Sequence, residues 1–364
     1  MKLAIPKETD DPRVALTPDA VGKLSDLGFD ILLEHDAGAE AFFPDEAYEG
    51  AKLMDRQALL QEAELILSIH PLADEELKQL AEDTVVISQF QPFNDKSVVD
   101  KLRRMKLRAL SLDMIPRTTL AQSMDILSSM ASIAGYKAVL EAARLLPRYL
   151  PMMITAAGSI RPAKVLILGA GVAGLQAIAT ARRLGAQVEA FDTRSAAKDE
   201  VQSLGAKFVE VEGAKDDSEA GGYAVEQSEA FLKRQRAEVQ ARAIKSDIII
   251  TTAQVRGRKA PLLVPASTVE QMKPGSVIVD LASSTGGNCE LSEDNKTVQQ
   301  HGVYIVGNSN LSALMPQDAS QLYSNNVVNF LKLIAEEGQL KLDLDNEIIS
   351  GAYITAEPAA ATEE

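Results

Sequence analysis

The sequence predicts an α/β protein made of two Rossmann-like domains, each with a doubly wound, mainly parallel sheet, joined by long helices. Three observations lead to this prediction. Short apolar strands alternate with amphipathic helical stretches in both halves of the chain. A glycine-rich turn at 169–174 separates a strand from a helix. Two helical stretches, at 121–146 and 318–338, are much longer than their neighbours. The 364 residues suffice for two domains with separate cores.

The first half of the chain begins with the strand KLAIP and continues with the helix TPDAVGKLSDLG. We expect Thr17 to cap this helix, Pro18 to occupy its first turn and Gly28 to end it. Further strands are expected at FDILLEH, LILSIH, TVVISQF and RALSLDM, with helical stretches such as NDKSVVDKLRRMK between them. This order of strands and helices predicts a parallel sheet covered by helices on both faces.

The helical stretch AQSMDILSSMASIAGYKAVLEAARLL continues until Pro147 and is long enough to bridge two domains. A second series of strands follows at KVLILG, QVEAFD, KFVEV, SDIIITTA, GSVIVDLA and HGVYIVG. The helix at 318–338 then returns the chain to the first domain, and the final AEPAAATEE is expected to be a solvated tail. The predicted domains are a discontinuous first domain at 1–125 plus 315–364, a bridging helix at 126–146 and a second domain at 147–314.

The composition argues against several classes of function. A formal net charge of −15 disfavours a nucleic-acid surface or an anionic membrane face. The N-terminal MKLAIPKETDD lacks the apolar core of a signal peptide, and the single cysteine, Cys289, cannot form an internal disulfide, so we expect a cytoplasmic protein. No apolar run is suited to spanning a membrane. The histidines His35, His70 and His301 lack metal-ligand spacing, so no metal site is expected.

The glycine-rich turn GAGVAG follows the strand KVLILG and leads into the helix LQAIATARRLG. Gly169 allows a tight turn, Gly171 lets the backbone approach a pyrophosphate, and Gly174 lets the helix pack closely on the strand. The helix N-terminus then faces the negative charge. The next strand ends in Asp192, whose carboxylate can accept hydrogen bonds from both ribose hydroxyls and repel a 2′-phosphate. The pattern favours NAD(H), although Arg194 is a side chain that can also serve NADP(H).

A polar segment, EGAKDDSEAGGYAVEQ, follows the strand KFVEV and has no apolar period. We expect a mobile surface loop in which Gly221 and Gly222 form a hinge that brings Tyr223 over a bound dinucleotide. An ordinary loop with one packed tyrosine is the alternative interpretation.

The segment PRTTLAQSMDILSS at 116–129 places Arg117, Gln122, Asp125 and Ser128 close together. This set lacks a general acid or base, because arginine and glutamine do not titrate near neutral pH and a carboxylate beside arginine stays ionised. It can instead hold a nicotinamide and its ribose at a fixed angle. Hydride exchange between two nicotinamides needs such orientation and no proton transfer. Helix capping by Ser123 or Asp125, with an exposed Arg117, is the alternative.

These segments, together with PMMITAAGS, AGGYA, DIIITTA and KPGSVIVDLASSTGGNC, resemble the NAD(H)-binding component of proton-translocating NAD(P) transhydrogenase over nearly the whole chain. RTTLAQSMDILSS is specific to that family. The resemblance implies a homodimer on the cytoplasmic side of the inner membrane, attached peripherally through membrane and NADP-binding partner subunits. It implies Re/Si-specific hydride exchange between NAD(H) on this chain and NADP(H) on the partner. The chain ends without a membrane segment, which suits the form with separate polypeptides.

The resemblance also implies roles for individual residues. Arg117, Gln122 and Asp125 would be the catalytic set that holds the nicotinamide and its ribose. The implied cofactor contacts are Thr118, Thr119 and Ser128 beside that set, Ala170, Gly171 and Val172 at the pyrophosphate, Asp192, Thr193 and Arg194 at the adenosine, Gly222 and Tyr223 in a closing loop, and Gln235 and Gln254 along the pocket. Gln254 differs from the apolar residue that the family leads us to expect.

Alanine dehydrogenase resembles this chain in fold and in the opening sequence KLAIPKETDDPRVALTPDAV. Its catalytic lysine would fall in ILSIHPL, which has no lysine, and its histidine in SQFQPF, which has no histidine. His70 is a conceivable substitute, for which the sequence reveals no partner. A non-catalytic NAD-sensing module is a third interpretation, which leaves the polar set at 117–128 unused.

Overall fold

The computed structural model describes residues 1–211 and 228–356. The chain forms two compact units, one made of Met1–Met130 with Ala313–Glu364 and the other of Ala131–Ser312. Two predictions fall outside the described residues, namely the closing loop with Gly221, Gly222 and Tyr223, and the tail after Ala356.

The first unit contains a six-stranded, fully parallel sheet in the order β3-β2-β1-β4-β5-β6. Its strands are β1 (Lys2–Ile5), β2 (Asp30–Glu34), β3 (Lys52–Met54), β4 (Leu65–Leu67), β5 (Val85–Ser88) and β6 (Arg108–Ser111). The helices between them are α1 (Pro18–Ser25), α2 (Arg56–Glu62), α3 (Asp74–Leu77) and α4 (Ser97–Arg104). Apolar side chains on both faces of the sheet belong to separate buried clusters, as expected for a sheet covered on both sides.

Two details of this unit differ from the sequence prediction. Thr17 lies at the N-cap position of α1, but its hydroxyl donates to the Asp19 carboxylate (2.8 Å) and does not cap the helix. The sequence pattern does not predict strand β3, because it has three residues and two of them, Lys52 and Leu53, are exposed. Gly28 follows the helix with φ +87°, the left-handed conformation expected of a glycine that ends it.

The second unit contains a seven-stranded sheet in the order β11-β10-β9-β12-β13-β15-β14, in which only the β14 edge is antiparallel. It is preceded by α5 (Ile126–Leu145) and a hairpin of β7 (Met153–Thr155) and β8 (Gly158–Ile160). The sheet strands are β9 (Lys164–Leu168), β10 (Gln187–Phe191), β11 (Lys207–Phe208), β12 (Ile248–Thr251), β13 (Val277–Asp280), β14 (Thr297–Gln300) and β15 (Val303–Val306). The helices are α6 (Val172–Arg183), α7 (Ala197–Ser203), α8 (Glu229–Ala243) and α9 (Ala266–Val269). The predicted class, two doubly wound α/β domains, is confirmed.

The two long helices begin and end at different residues from those predicted. The stretch at 121–146 is not one helix, because Thr119–Met124 forms a 3₁₀ turn, Asp125 is extended (φ −78°, ψ 90°) and α5 begins at Ile126. The second long helix, α10, spans Pro316–Ile334 and ends before the predicted residue 338. A small hairpin of β16 (Ala335–Glu336) and β17 (Gln339–Leu340) follows it, and then α11 (Glu347–Ala352).

Helix α10 forms the centre of the first unit. Its side chains Tyr323, Val327 and Phe330 are completely buried. Two buried serines on the same helix accept hydrogen bonds from the backbone of the segment after β1, Ser320 from Val14 N–H (2.9 Å) and Ser324 from Thr17 N–H (3.1 Å). Among the described residues, no helix has the length and apolar character needed to cross a membrane.

Candidate dinucleotide-binding site

The glycine-rich turn lies at the carboxyl end of β9, where the chain enters α6. Gly169 has φ +104°, a conformation that side chains disfavour, and its N–H donates to the carbonyl of Phe191 at the end of β10 (2.8 Å). The carbonyl of Gly169 accepts from the Thr252 hydroxyl (3.1 Å), just after β12. The turn is therefore tied to both neighbouring strands and presents the N-terminus of α6 at that edge of the sheet.

The other two glycines of the motif have different surroundings. A Cβ atom on Gly174 would overlap the carbonyl oxygen of Gly169, so this position must lack a side chain for α6 to pack on the turn. A Cβ atom on Gly171 would meet nothing within 4 Å. Gly171 also has φ −79° and ψ −167°, which any residue adopts. The protein itself therefore does not require glycine at 171, whereas a ligand that approaches the backbone closely does.

Asp192 follows β10 and has a full set of hydrogen bonds at this edge. Its Oδ2 accepts from Ala170 N–H (2.7 Å), and its two oxygens accept from the Arg194 guanidinium at 3.0 Å each. Burial alone would raise the pKa of Asp192, but the side-chain and backbone bonds from Arg194 and the bond from Ala170 lower the pKa overall. The carboxylate is thus held ionised, and Arg194 partly neutralises it. Thr193, between them, is exposed.

A buried polar network, not identified from the sequence, shapes the loops after β12 and β13. The Asp280 carboxylate is fully buried and accepts from the Thr251 hydroxyl (2.9 Å) and from the N–H groups of Ala282, Asn288 and Cys289 (2.9–3.0 Å). The Asn288 amide, also fully buried, bonds both backbone groups of Ala253 and the carbonyl of Pro261. The sequence offered DLASSTGGNC only as part of a family resemblance, because the partners lie far along the chain.

Two further predicted residues of the second unit are on the elements around this edge. Gln254 follows β12, is exposed, and donates its amide to the carbonyl of Leu281 (2.9 Å). Gln235 is half-buried on α8. Val172, at the first position of α6, is 44% exposed, so an apolar side chain there is open to solvent or a ligand.

The segment at 117–128 belongs to the first unit and follows β6. Asp125 lies directly before α5, where its Oδ1 accepts from Ser128 N–H (2.9 Å) and its Oδ2 accepts from the Ser128 hydroxyl (2.6 Å). Arg117 lies with its Nε 3.9 Å from Asp125 Oδ2, and its side chain is 62% exposed. Gln122 and Thr119 are exposed on the 3₁₀ turn. The structure therefore brings Arg117, Asp125 and Ser128 together, and Asp125 also caps α5, as the alternative interpretation expected.

Thr118 is the exception in this segment. Its Oγ1 is buried and, among the described residues, has no hydrogen-bond partner. Most buried polar atoms in proteins are satisfied, so an orphan such as this one calls for an explanation. Leu120, two residues later, is 78% exposed although it is large and apolar. These features are typical of a surface that contacts a ligand or a partner.

A second polar cluster of the first unit corrects the prediction for His70. The sequence revealed no partner for it, yet His70 Nε2 lies 2.8 Å from the Asp11 carboxylate, which is also paired with Arg13 (2.9 and 2.5 Å). Burial opposes the ionisation of Asp11, but the bonds from Arg13 and His70 lower its pKa below the usual range. Glu8 accepts from the N–H groups of Ile69 and His70, and burial raises its pKa. The Arg13 and Asp11 side chains are 4% and 1% exposed.

Two cavities lie outside the glycine-rich edge. One, of about 230 Å³, adjoins the second cluster and is lined by Glu8, Arg56, His70 and their neighbours. The other, of about 330 Å³, is lined by Lys164, Glu189 and Arg242 and lies at the amino end of β9, the end opposite Gly169. Ligands of doubly wound sheets bind at the carboxyl ends of the strands, so the larger cavity is not the expected site. In the described chain, no three His, Cys, Asp or Glu residues are grouped as metal ligands.

Comparison with known proteins places this geometry in context. Residues 4–134 match the family "Alanine dehydrogenase/PNT, N-terminal domain", and residues 138–362 match "Alanine dehydrogenase/PNT, C-terminal domain". The chain is 43% identical to the first of the separate polypeptides of the NAD(P) transhydrogenase alpha subunit of Rhodospirillum rubrum, over 99% of this chain and 97% of that protein. It is similar to the crystal structure of transhydrogenase from Sinorhizobium meliloti, with TM-score 0.89 and 41% identity over 97% of each chain. An L-alanine dehydrogenase structure matches with TM-score 0.75 and 28% identity, over 91% of this chain and 89% of that one.

Proposed function

The chain belongs to the alanine dehydrogenase/PNT family and is a homologue of the transhydrogenase alpha subunit, and from this we propose that it is the NAD(H)-binding component of a proton-translocating transhydrogenase. It exchanges hydride between NAD(H), which it binds, and NADP(H), which a partner subunit binds. The observation that carries the proposal is the ordered set of Arg117, Asp125 and Ser128, which can orient a ring but contains no group that shuttles protons at neutral pH.

The second unit supplies the dinucleotide contacts in this proposal. The open position at Gly171 and the N-terminus of α6 accommodate the pyrophosphate, with Ala170 and Val172 beside it. Asp192 accepts the ribose hydroxyls, with Thr193 and Arg194 next to it. Gln235 and Gln254 complete the pocket. The buried Asp280 and Asn288 hold the neighbouring loops in place and do not need to contact the ligand themselves.

The segment at 117–128 orients the nicotinamide. When NADH is bound it supplies a hydride, which carries both electrons, so the protein needs to provide alignment and exclusion of water, and no proton. Asp125, fixed by Ser128, and Arg117 provide charged hydrogen-bonding groups of defined position, and Gln122 supplies an amide on the exposed face of the turn. Thr118 and Thr119 offer two hydroxyls beside them.

The assembly follows from the same proposal. The chain acts as a homodimer with NADP-binding and membrane partner subunits, and it is attached peripherally to the cytoplasmic side of the inner membrane through those partners. The exposed Leu120, next to the residues that orient the nicotinamide, is a candidate contact for the partner that carries NADP(H).

An amino-acid dehydrogenase related to alanine dehydrogenase is the second candidate, and one observation favours it. His70 has a carboxylate partner, Asp11, and adjoins a cavity of about 230 Å³, so it could act as a base. Against this, Asp11 also binds the Arg13 guanidinium through both oxygens, and the pair is almost fully buried. An arginine closed in this way is poorly placed to bind a substrate carboxylate.

The test combines binding with rapid kinetics. The purified chain should bind NADH, as followed by NADH fluorescence, and should show little oxidation of alanine and little reduction of pyruvate with ammonia. Addition of the NADP-loaded partner subunit should produce fast hydride exchange in a stopped-flow experiment. Substantial alanine oxidation by the isolated chain, together with no exchange in the presence of the partner, would overturn the assignment.

A further inference from the structure

The 3₁₀ turn Thr119–Met124 has few hydrogen bonds of its own. Its local backbone bonds are Ala121 N–H to Thr118 carbonyl (3.1 Å) and Asp125 N–H to Gln122 carbonyl (3.4 Å). The first is of ordinary length and the second is long. A turn of this kind is not stiff by itself. Something outside the turn must hold it if its side chains are to keep a fixed orientation.

Helix α10 provides that support. The Asn326 side-chain amide donates to the carbonyl of Ser123 at 2.8 Å, and the Asn329 amide donates to the same carbonyl at 3.1 Å. The two asparagines are three residues apart and so lie on one face of the helix. Both therefore grip a single backbone oxygen, which lies between Gln122 and Asp125 in the sequence.

The helix that carries the two asparagines is a rigid base. Residues on either side of Asn326 and Asn329, such as Tyr323, Val327 and Phe330, are completely buried in the core of the first unit. Two buried side chains of the turn itself, Ala121 and Met124, pack into the same core. The turn is thus fixed by apolar contacts and by the amides, while Gln122 is left exposed.

Asn326 is costly in its position, which points to a specific role for its amide. It is 7% exposed, and its Oδ1 is buried without a partner among the described residues. A buried amide with an orphaned oxygen is disfavoured relative to an apolar side chain of similar size. The single bond that the described chain gives to the Asn326 side chain is the one to Ser123.

We infer that Asn326 and Asn329 are positioning residues for hydride exchange: they hold the Ser123 carbonyl so that Gln122 and Asp125 keep a fixed orientation toward the nicotinamide. The inference rests on the function proposed above and extends it to two residues outside the segment at 117–128. Neither asparagine touches the dinucleotide in this mechanism. Their effect is transmitted through the backbone of the turn.

The experiment compares Asn326→Leu, Asn326→Asp and Asn329→Ala with the wild-type chain. Asn326→Leu keeps the volume and removes both the donor and the orphaned oxygen, whereas Asn326→Asp keeps the shape and opposes the Ser123 carbonyl with a carboxylate. Asn325→Ala is the matched control, because Asn325 is on the same helix and makes no hydrogen bond to the turn within the described residues. Each variant is assayed for NADH dissociation constant, for single-turnover exchange with the NADP-loaded partner, and for amide hydrogen exchange of residues 118–125.

We expect Asn326→Leu to slow single-turnover exchange about tenfold or more while the NADH dissociation constant changes less than about threefold, since misplacement of a reacting ring affects rate more than affinity. Amide exchange at 118–125 should become faster in the same variant. Asn326→Asp should behave like Asn326→Leu, Asn329→Ala should show a smaller effect in the same direction, and Asn325→Ala should match the wild type.

Three results would overturn the inference: an unchanged exchange rate in Asn326→Leu and Asn329→Ala, an equal loss in the control Asn325→Ala, or unchanged amide protection of the turn. If Asn326→Leu does not fold, Asn329→Ala, at a half-buried position, still gives the rate and amide-exchange readouts. Failure of the proposed function itself looks different, because the wild-type chain would then show no exchange with the partner at all.

Discussion

Ser128 binds both oxygens of the Asp125 carboxylate, with its backbone N–H 2.9 Å from Oδ1 and its hydroxyl 2.6 Å from Oδ2. The contact starts helix α5 and at the same time fixes the carboxylate that faces Arg117 at 3.9 Å. One side chain therefore combines a structural and a proposed catalytic role, and substitutions can separate the two.

Asp125→Asn should separate capping from charge. Asparagine is as good an N-cap as aspartate, so the free energy of unfolding should stay close to that of the wild type, whereas Asp125→Ala should lose about 0.5–2 kcal/mol. Both variants remove the charge beside Arg117, so both should slow hydride exchange about tenfold or more with a smaller effect on NADH affinity. Urea unfolding and stopped-flow exchange are the measurements. Ser129→Ala is the control, and wild-type exchange in Asp125→Asn would show that the charge has no role.

Arg117→Ala should affect exchange without affecting stability. The side chain is 62% exposed, so its removal should change the free energy of unfolding by no more than about 0.5 kcal/mol. Exchange should fall more than NADH affinity does, and Arg117→Lys should restore only part of the rate, because an ammonium lacks the planar set of donors of a guanidinium. Equal losses in rate and in affinity would make Arg117 an ordinary binding residue.

Gly171→Ala and Gly174→Ala should fail in different ways. A methyl group at 171 meets no protein atom within 4 Å, so the variant should unfold like the wild type but bind NADH about tenfold or more weakly. A methyl group at 174 overlaps the Gly169 carbonyl, so this variant should lose stability before binding is considered. Thermal unfolding and NADH titration distinguish the two. Unimpaired NADH binding by Gly171→Ala would remove the pyrophosphate from this turn.

The parts of the fold that could be predicted from sequence are those set by local pattern. The buried strands β9, β12 and β13 are continuous apolar runs, and the turn at Gly169 has strand, glycines and helix in an order that few structures other than a dinucleotide turn require. Strands β3 and β14 escape prediction because they are short edge strands with mostly exposed residues. Their position is decided by the neighbouring strand, which a local pattern does not contain.

The polar parts of the site depend on contacts between distant residues, and here the sequence is less informative. Asp125 interrupts a helical pattern because its carboxylate binds Ser128, a short-range contact that capping rules could have identified. The partner of His70 is Asp11, and the partner of Ser123 is Asn326, in each case on another element. No spacing rule links such pairs, so only the folded chain reveals them.

Replacement of Asp192 and Arg194 should change cofactor discrimination in opposite directions. Asp192→Asn removes the carboxylate that disfavours a 2′-phosphate, so the preference for NADH over NADPH should fall about tenfold, which corresponds to ~1.4 kcal/mol. Arg194→Ala leaves that carboxylate without the guanidinium that now binds both of its oxygens, so the preference should rise. Lys198→Ala, which also removes one positive charge close by in sequence, is the control. Unchanged discrimination in both site variants would exclude this pair from adenosine recognition.

The buried Asp11 should make stability depend on acid pH. Burial opposes its ionisation, but the bonds from Arg13 and His70 lower its folded-state pKa below the ordinary value of 3.8. A group with a lowered pKa stabilises the folded state fully above its unfolded pKa and loses that contribution as the pH falls through its folded pKa. At pH 7, Asp11→Asn should therefore cost about 3–5 kcal/mol, because it leaves a buried guanidinium without its counter-ion.

The measurement is the difference in unfolding free energy between the wild type and Asp11→Asn at pH 7 and at pH 3. The difference should shrink at pH 3, where protonation of the unfolded chain favours unfolding of the wild type alone at this site. Glu8, whose pKa is raised by burial, is present in both proteins and largely cancels. Glu82→Gln, which breaks the exposed pair with Lys106, should change stability little at either pH. A difference that stays constant between pH 7 and pH 3 would mean that packing, and not the charge of Asp11, accounts for its contribution.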